Sequence, residues 1–197
     1  MPRVSEAHLA ARRQQILDAA ALCFARNGFH QTSMQDVIKE AGLSVGAFYR
    51  YFKSKNELIT AIAGTKIGEV TSALDELMAR DPMPPIPVIL DHILEIIETY
   101  MVEGGTVRIA VQVWGEAVHD AEVAAVVAEI YGRVRSRAVA MAEGARASGQ
   151  LPADADPQGV GAALFGLIQG YILQRVLVGE VDRERYVAGI RALLSAP

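Results

Sequence analysis

Between Thr32 and Lys55 the chain reads TSMQDVIKEAGLSVGAFYRYFKSK, and no other stretch limits the possible fold as tightly. Ser33 is placed to cap a helix with its hydroxyl on a free backbone N–H. Asp36, three residues on, is the acidic half of a capping box, and Gly42 tolerates the positive φ that a helix exit favours. The first helix is therefore expected over Met34–Ala41. Ser44 caps a second, expected over Val45–Phe52. Only Leu43 stands between Gly42 and that cap, so the two helices cannot lie antiparallel and must cross steeply, as the pair of a helix-turn-helix does.

The second helix has the composition of one meant to face a polyanion. Tyr49, Arg50, Tyr51, Lys53 and Lys55 crowd around it, more polar and basic reach than a core helix has use for. Val37, Ile38, Ala41, Leu43, Phe48 and Phe52 supply the side to be buried. Val45, Gly46 and Ala47 are small, so the backbone of the first turn can approach base edges while the phenols and cations reach phosphates on either side. Free N–H groups at the start of that helix also favour phosphate. The candidate DNA contacts are Thr32, Ser33 and Gln35 at the first helix, and Ser44, Val45, Gly46, Ala47, Tyr49, Arg50, Tyr51, Lys53 and Lys55 on and after the second. A helical binding protein whose head no longer reads DNA is the alternative, but such a head would have no reason to keep this rim.

The run from Gly28 to Leu58 closely resembles the DNA-binding domain of TetR-family transcriptional regulators. The Thr-Ser pair, the Ala-Gly-Leu-Ser turn and the Tyr-x-Tyr-Phe-x-Ser-Lys block stand in register without a gap. The likeness covers the first third of the chain residue by residue. Further on, Val113-Trp114-Gly115-Glu116-Ala117 and Leu151-Pro152-Ala153-Asp154 are similar to the C-terminal domain of the betaine-regulator type. The resemblance implies an all-α protein, with a DNA head over residues 1–54 and a helical ligand-binding and dimerisation domain over residues 55–197. It also implies a repressor that binds a palindromic double-stranded operator as a homodimer and leaves it when a small effector binds.

The formal net charge of −4 suits a DNA binder only once the chain is divided. Residues 1–60 hold 8 Lys/Arg against 5 Asp/Glu, and residues 61–197 hold 11 against 18, so a basic head sits on an acidic body. Arg3, Arg12 and Arg13 either follow a phosphate backbone or belong to a solvated face. Cys23, the single cysteine, rules out an intramolecular disulfide and falls on an apolar stripe with Ile16, Ala20 and Phe24, where a thiol serves packing. No signal segment opens the chain, and the apolar stretches are interrupted by Gly, Gln, Arg or Glu within spans too short to cross a bilayer. A cytoplasmic protein that is neither inserted in nor anchored to a membrane is expected.

Beyond the head, helical spacing predicts a first helix over Glu6–Asn27 closed by Gly28, and a long one from the Ser54/Glu57 box to Met78. DPMPPIP, from Asp81 to Pro87, is a rigid connector. Helices follow over Val88–Val102, broken by Gly104-Gly105, then Thr106–Val118 and Ala121–Ala147. Asp156-Pro157 opens one that runs to Val178, and Asp182 caps a last one ending near Leu194. No run alternates with period two, so no strand is expected.

Val160–Val178 is apolar around nearly its whole circumference, which calls for burial on more than one side. Gly161, Gly166 and Gly170 would let a helix of a second copy approach, with Leu193 and Leu194 joining the patch. The other reading is the central helix of a monomeric bundle. No zinc spacing, phosphate loop or nucleophile elbow appears, so neither an enzyme nor a cofactor is expected. His92 and Glu95 share a face and either hold a metal, relay a proton or form an ordinary solvated or salt-bridged pair. A pocket among the body helices is expected to bind a hydrophobic small molecule, lined by Ile93, Tyr100, Met101, Trp114, Tyr131 and Phe165 with His92 or Gln169 orienting it. Each of these residues more often serves a plain core than a ligand site.

Overall fold

The computed structural model describes residues 6–102, 106–179 and 181–194, and every regular element among them is helical. In chain order they are α1 (Glu6–Asn27), α2 (Met34–Glu40), α3 (Val45–Phe48), α4 (Lys55–Met78), α5 (Ile86–Val102), α6 (Thr106–Ala117), α7 (Ala121–Ala147), α8 (Pro157–Leu173) with a π-helical turn Gln174–Val178, and α9 (Arg183–Leu194). Arg3 and the Gly104-Gly105 interruption lie outside the described residues.

The caps set these bounds. Gly28, at φ 85°, ends α1. Asp156 Oδ1 and Oδ2 accept from the N–H groups of Gln158 and Gly159 at the head of α8. Asp120 accepts from the N–H groups of Glu122 and Val123 and so caps α7. α5 begins at Ile86, two residues before the expected start, because Pro87 needs no N–H in a first turn and the Pro85 carbonyl accepts from Val88 and Ile89. Gln150 holds the proline connector ahead of it, accepting from Ile86 N–H at 3.2 Å and donating to the carbonyls of Met83 and Pro84.

The chain forms two compact units. The first takes Met1–Thr65 with Glu103–Val127, and the second Lys66–Val102 with Ala128–Pro197, so α4 and α7 contribute residues to both. The core of the first unit gathers Ile16, Ala20, Phe24, Val37, Phe48 and Leu58 around α1, and Ile109 and Val113 of α6 and Val123 of α7 join the same cluster. In the second unit Ile89, Leu90, Ile93 and Leu94 of α5 are buried and α5 packs on α9. There Glu98 accepts from Tyr171 Oη at 2.5 Å and pairs with Arg183 Nε at 3.3 Å, while Arg183 also pairs with Asp91 at 2.8 Å. Burial and the Glu98 carboxylate push the Tyr171 phenol far up, so it stays a donor.

Candidate nucleic-acid interface

α2 and α3 are closed at nearly every end. Ser33 Oγ accepts from Asp36 N–H while the Asp36 carboxylate accepts from Ser33 N–H at 2.8 Å, a complete capping box. The Ser33 hydroxyl, which donates to the Asp36 carboxylate at 2.7 Å, and then the Ser33 N–H hold the Asp36 carboxyl below the usual carboxylate range. At the exit, Leu43 N–H reaches Ile38 O and Gly42 N–H reaches Lys39 O with Gly42 at φ 64°, which is the paired closure of a Schellman motif. Gln15 of α1 donates to Ala41 O at 2.7 Å and braces the same turn. Ser44 Oγ then accepts from Ala47 N–H to start α3.

α3 is shorter than expected. It runs Val45–Phe48, and Tyr49 to Tyr51 continue as turns. The N–H groups of Tyr51 and Phe52 both fall back on Phe48 O, and Lys53 N–H goes to the Glu57 carboxylate at 2.6 Å, which draws the chain out of the helix toward α4. Ser54 Oγ still accepts from Glu57 N–H. Phe48 and Phe52 are buried, whereas Ser33, Gln35, Ser44, Val45, Gly46, Tyr49, Arg50 and Lys53 are exposed and Ala47 and Tyr51 half-buried. A Cβ added at Gly46 meets nothing within 4 Å, so the fold of this chain does not demand glycine there.

Two candidates point elsewhere. Thr32 is 1% exposed, and its hydroxyl donates to Gly28 O at 2.7 Å and lies 3.2 Å from Cys23 O, so the side chain closes the turn after α1 and is not available to DNA. The Lys55 ammonium donates to the carbonyls of Phe29 and His30 at 2.9 and 3.1 Å and sits 4.8 Å from the centre of the Phe29 ring. It is a brace for the loop before α2. Lys53 Nζ bonds Tyr49 O, and Arg13 lies over the Phe52 ring at 5.1 Å with its residue exposed. Neither Gln15 nor the contact of Phe29 N–H with Gln112 of α6 carried a sequence signal, the latter because 83 residues separate the partners.

The effector candidates divide between the units. Trp114, half-buried on α6, belongs to the first, and the others to the second. Three come together: the Tyr131 and Phe165 rings meet edge to face at 5.0 Å, and the Gln169 amide lies beside the Tyr131 phenol. Burial pushes that phenol up to about 12, so it remains a neutral donor at ordinary pH. Tyr100 bonds Glu69 of α4 through its hydroxyl and carries Lys66 over its ring, Met101 is half-buried, and Ile93 is core at 2% exposure. His92 is exposed and forms a surface pair with Glu95 at 3.5 Å.

The apolar helix corrects two expectations. Gly161 is buried, and a Cβ there would stand 2.7–2.8 Å from Val139 of α7, so this glycine admits a helix of its own chain. Gly166 faces open space. Pro157–Val178 spans 22 residues at a hydropathy of 1.4, long and apolar enough to cross a bilayer, whereas the sequence suggested spans too short for that. Only 17% of its most apolar stretch is buried, and Leu177, Val178 and Leu193 are 70%, 78% and 75% exposed.

Comparison with known proteins gives two family matches. Residues 16–62 match the model for bacterial regulatory proteins of the tetR family, and residues 89–196 that for the C-terminal part of the BetI-type transcriptional repressor. The HTH-type transcriptional repressor Rv1474c of Mycobacterium tuberculosis is 46% identical over 63 residues, which are 32% of this chain and 34% of that protein, so the match spans about a third of that relative. The structure of Salmonella enterica GusR superposes with a TM-score of 0.74 at 25% identity, over 98% of this chain and 97% of that one. A crystal structure of Bacillus subtilis FadR in complex with stearoyl-CoA shares the fold at a TM-score of 0.76 and 18% identity, over 93% and 97%.

Proposed function

The chain belongs to the TetR family of bacterial regulatory proteins, and on that footing we propose that it is a cytoplasmic, ligand-responsive repressor that reads a palindromic DNA operator as a homodimer. The observation that carries this reading is the solvent-facing surface of α3: Gly46 open to solvent, with Val45, Tyr49, Arg50 and Lys53 exposed around it. The fold leaves that glycine unused, and close approach of another backbone or a base edge gives it a purpose. Ser33, Gln35, Ser44, Ala47 and Tyr51 complete the contact surface.

The partner copy covers the apolar face of α8 and α9, where Leu177, Val178, Leu193 and Leu194 stand exposed. Two heads related by a two-fold axis then meet half-sites about 34–36 Å apart. The Tyr131, Phe165 and Gln169 cluster is the effector contact, an apolar surface with one amide and one neutral phenol to orient a hydrophobic molecule. That a protein of the same fold holds stearoyl-CoA supports an apolar effector. Effector binding weakens operator binding by about 5- to 150-fold, the range of ordinary allosteric coupling, and the operator weakens effector binding by the same factor.

The test is selection of duplexes from a random pool by the purified protein, followed by sedimentation of the complex. A two-fold symmetric consensus bound by a dimer is expected. Recovery of no sequence preference would leave a helical binding protein whose head is idle.

A further inference from the structure

The loop that leads into α2 is gripped from outside the head's own sequence. Phe29 N–H donates to Gln112 Oε1 of α6 at 2.8 Å, and one turn further along α6 the Glu116 carboxylate lies 2.8 Å from His30 Nδ1. A Cβ at Gly28 would stand 3.3 Å from the same Gln112 oxygen, so the loop backbone and this side chain are in near contact. Lys55 holds the opposite, carbonyl side of Phe29 and His30. Beneath these bonds Ile109 and Val113, on the same helix as Gln112, are 1% and 4% exposed within the core that contains Ile16 and Phe24. α6 falls within residues 89–196, matched by the C-terminal family model, yet it packs in the unit that holds α2 and α3.

We propose that Gln112 is the positioning residue through which α6 sets the Gly28–His30 loop, alongside the grip that α4 has on the same loop through Lys55. This rests on α2 and α3 reading DNA. Ser33, four residues after Phe29, is the cap of α2, so a shift of the loop at Phe29 moves the start of the helix that supports α3. Val113 and Ile109 fix where α6 lies, and the Gln112 bond ties its register to the loop. A packed helix with a bond that is either made or broken has discrete positions, the property a coupling element needs. Reciprocity then requires that DNA, by fixing α2 and α3, slow the opening of α6.

The test is amide hydrogen exchange over residues 106–117 in the full chain, with and without a duplex selected by the protein itself. In the wild type the duplex is expected to slow exchange in α6 by about fivefold or more. Gln112→Leu, which has no acceptor for Phe29 N–H, should still bind the duplex but lose most of that slowing, and Gln112→Glu, which keeps an acceptor oxygen, should restore it. A selected duplex that leaves wild-type α6 exchange unchanged overturns the coupling while leaving the DNA reading in place. Slowing of the same size in Gln112→Leu removes Gln112 from the connection. Failure to select any duplex overturns the DNA reading and this inference with it.

Discussion

α3 and α8 both carry glycine and both expose a face that the chain does not cover, but they do so for opposite reasons. α3 is short, fixed at its start by Ser44 and flanked by exposed polar and basic side chains, and its Gly46 touches nothing. α8 is long and apolar, and a Cβ added at its Gly161 would stand 2.8 Å from the Val139 backbone. A glycine in open space on a polar surface has no task inside the molecule. A glycine under a crossing helix has its task there. The exposed face of α8 is apolar instead, which suits a second copy of the chain better than a polyanion.

Breaking the apolar face has the largest expected effect. Leu177→Glu with Leu193→Glu should turn the dimer into a monomer at micromolar concentration by sedimentation. Each leucine a partner would have buried is worth about 1.5–3 kcal/mol, and burying the new charge costs more. A dimer that survives both changes would move the interface elsewhere. Next in size is Gly161→Ala, which forces Val139 to shift and should lower unfolding free energy by about 1–3 kcal/mol in denaturant titrations. Gly166→Ala sharpens the contrast. It should leave the fold intact or gain up to about 1 kcal/mol of helix propensity, and a weaker dimer with an unweakened fold would place the partner against Gly166.

Two basic residues of the head separate in the same way. Arg50→Ala should make the slope of log K against log salt shallower by about one unit, with stability changed by no more than about 0.5 kcal/mol. Lys55→Met should do the reverse, leaving the slope unchanged and costing about 1–2 kcal/mol by leaving the Phe29 and His30 carbonyls without their donor. Matching slope changes in the two variants would return Lys55 to the DNA surface. The smallest effect is at Asp36. Its carboxyl is held below the ordinary value of 3.8, so its contribution is complete above that value and is lost as pH falls through the lower folded one. Asp36→Asn should therefore flatten the acid side of the stability curve and change little near neutrality, which a thermal melt series from neutral to acid pH would read.

What was legible in the sequence is what adjacent residues decide. Ser33 with Asp36, Gly42, Gly28 and Asp156-Pro157 mark ends that the structure puts at or within a residue of the expected places, and α1, α4 and α7 keep their expected bounds. The exposure of Tyr49 and Arg50 followed from the polar and basic composition around the apolar Phe48 and Phe52. What was not legible depends on distant partners. Thr32 and Lys55 look like surface contacts until Cys23, Gly28, Phe29 and His30 are folded beside them, and Gly161 looks like a contact for a second copy until Val139 occupies its space. Gln112 has no local pattern at all, because its acceptor oxygen matters only once α6 has packed on α1.

The account stands on α3 touching DNA at Gly46, and that is tested most directly by titrating wild type and Gly46→Leu against a selected duplex, with the thermal midpoint of each protein measured alongside. Because a Cβ at Gly46 meets open space within the chain and leucine is the better helix former, the midpoint of the variant should be no lower than that of the wild type. Affinity should fall by at least about tenfold, as a bulky group stands between helix and base edges. A midpoint no lower than that of the wild type with equal affinity would contradict the account and take α3 out of the groove.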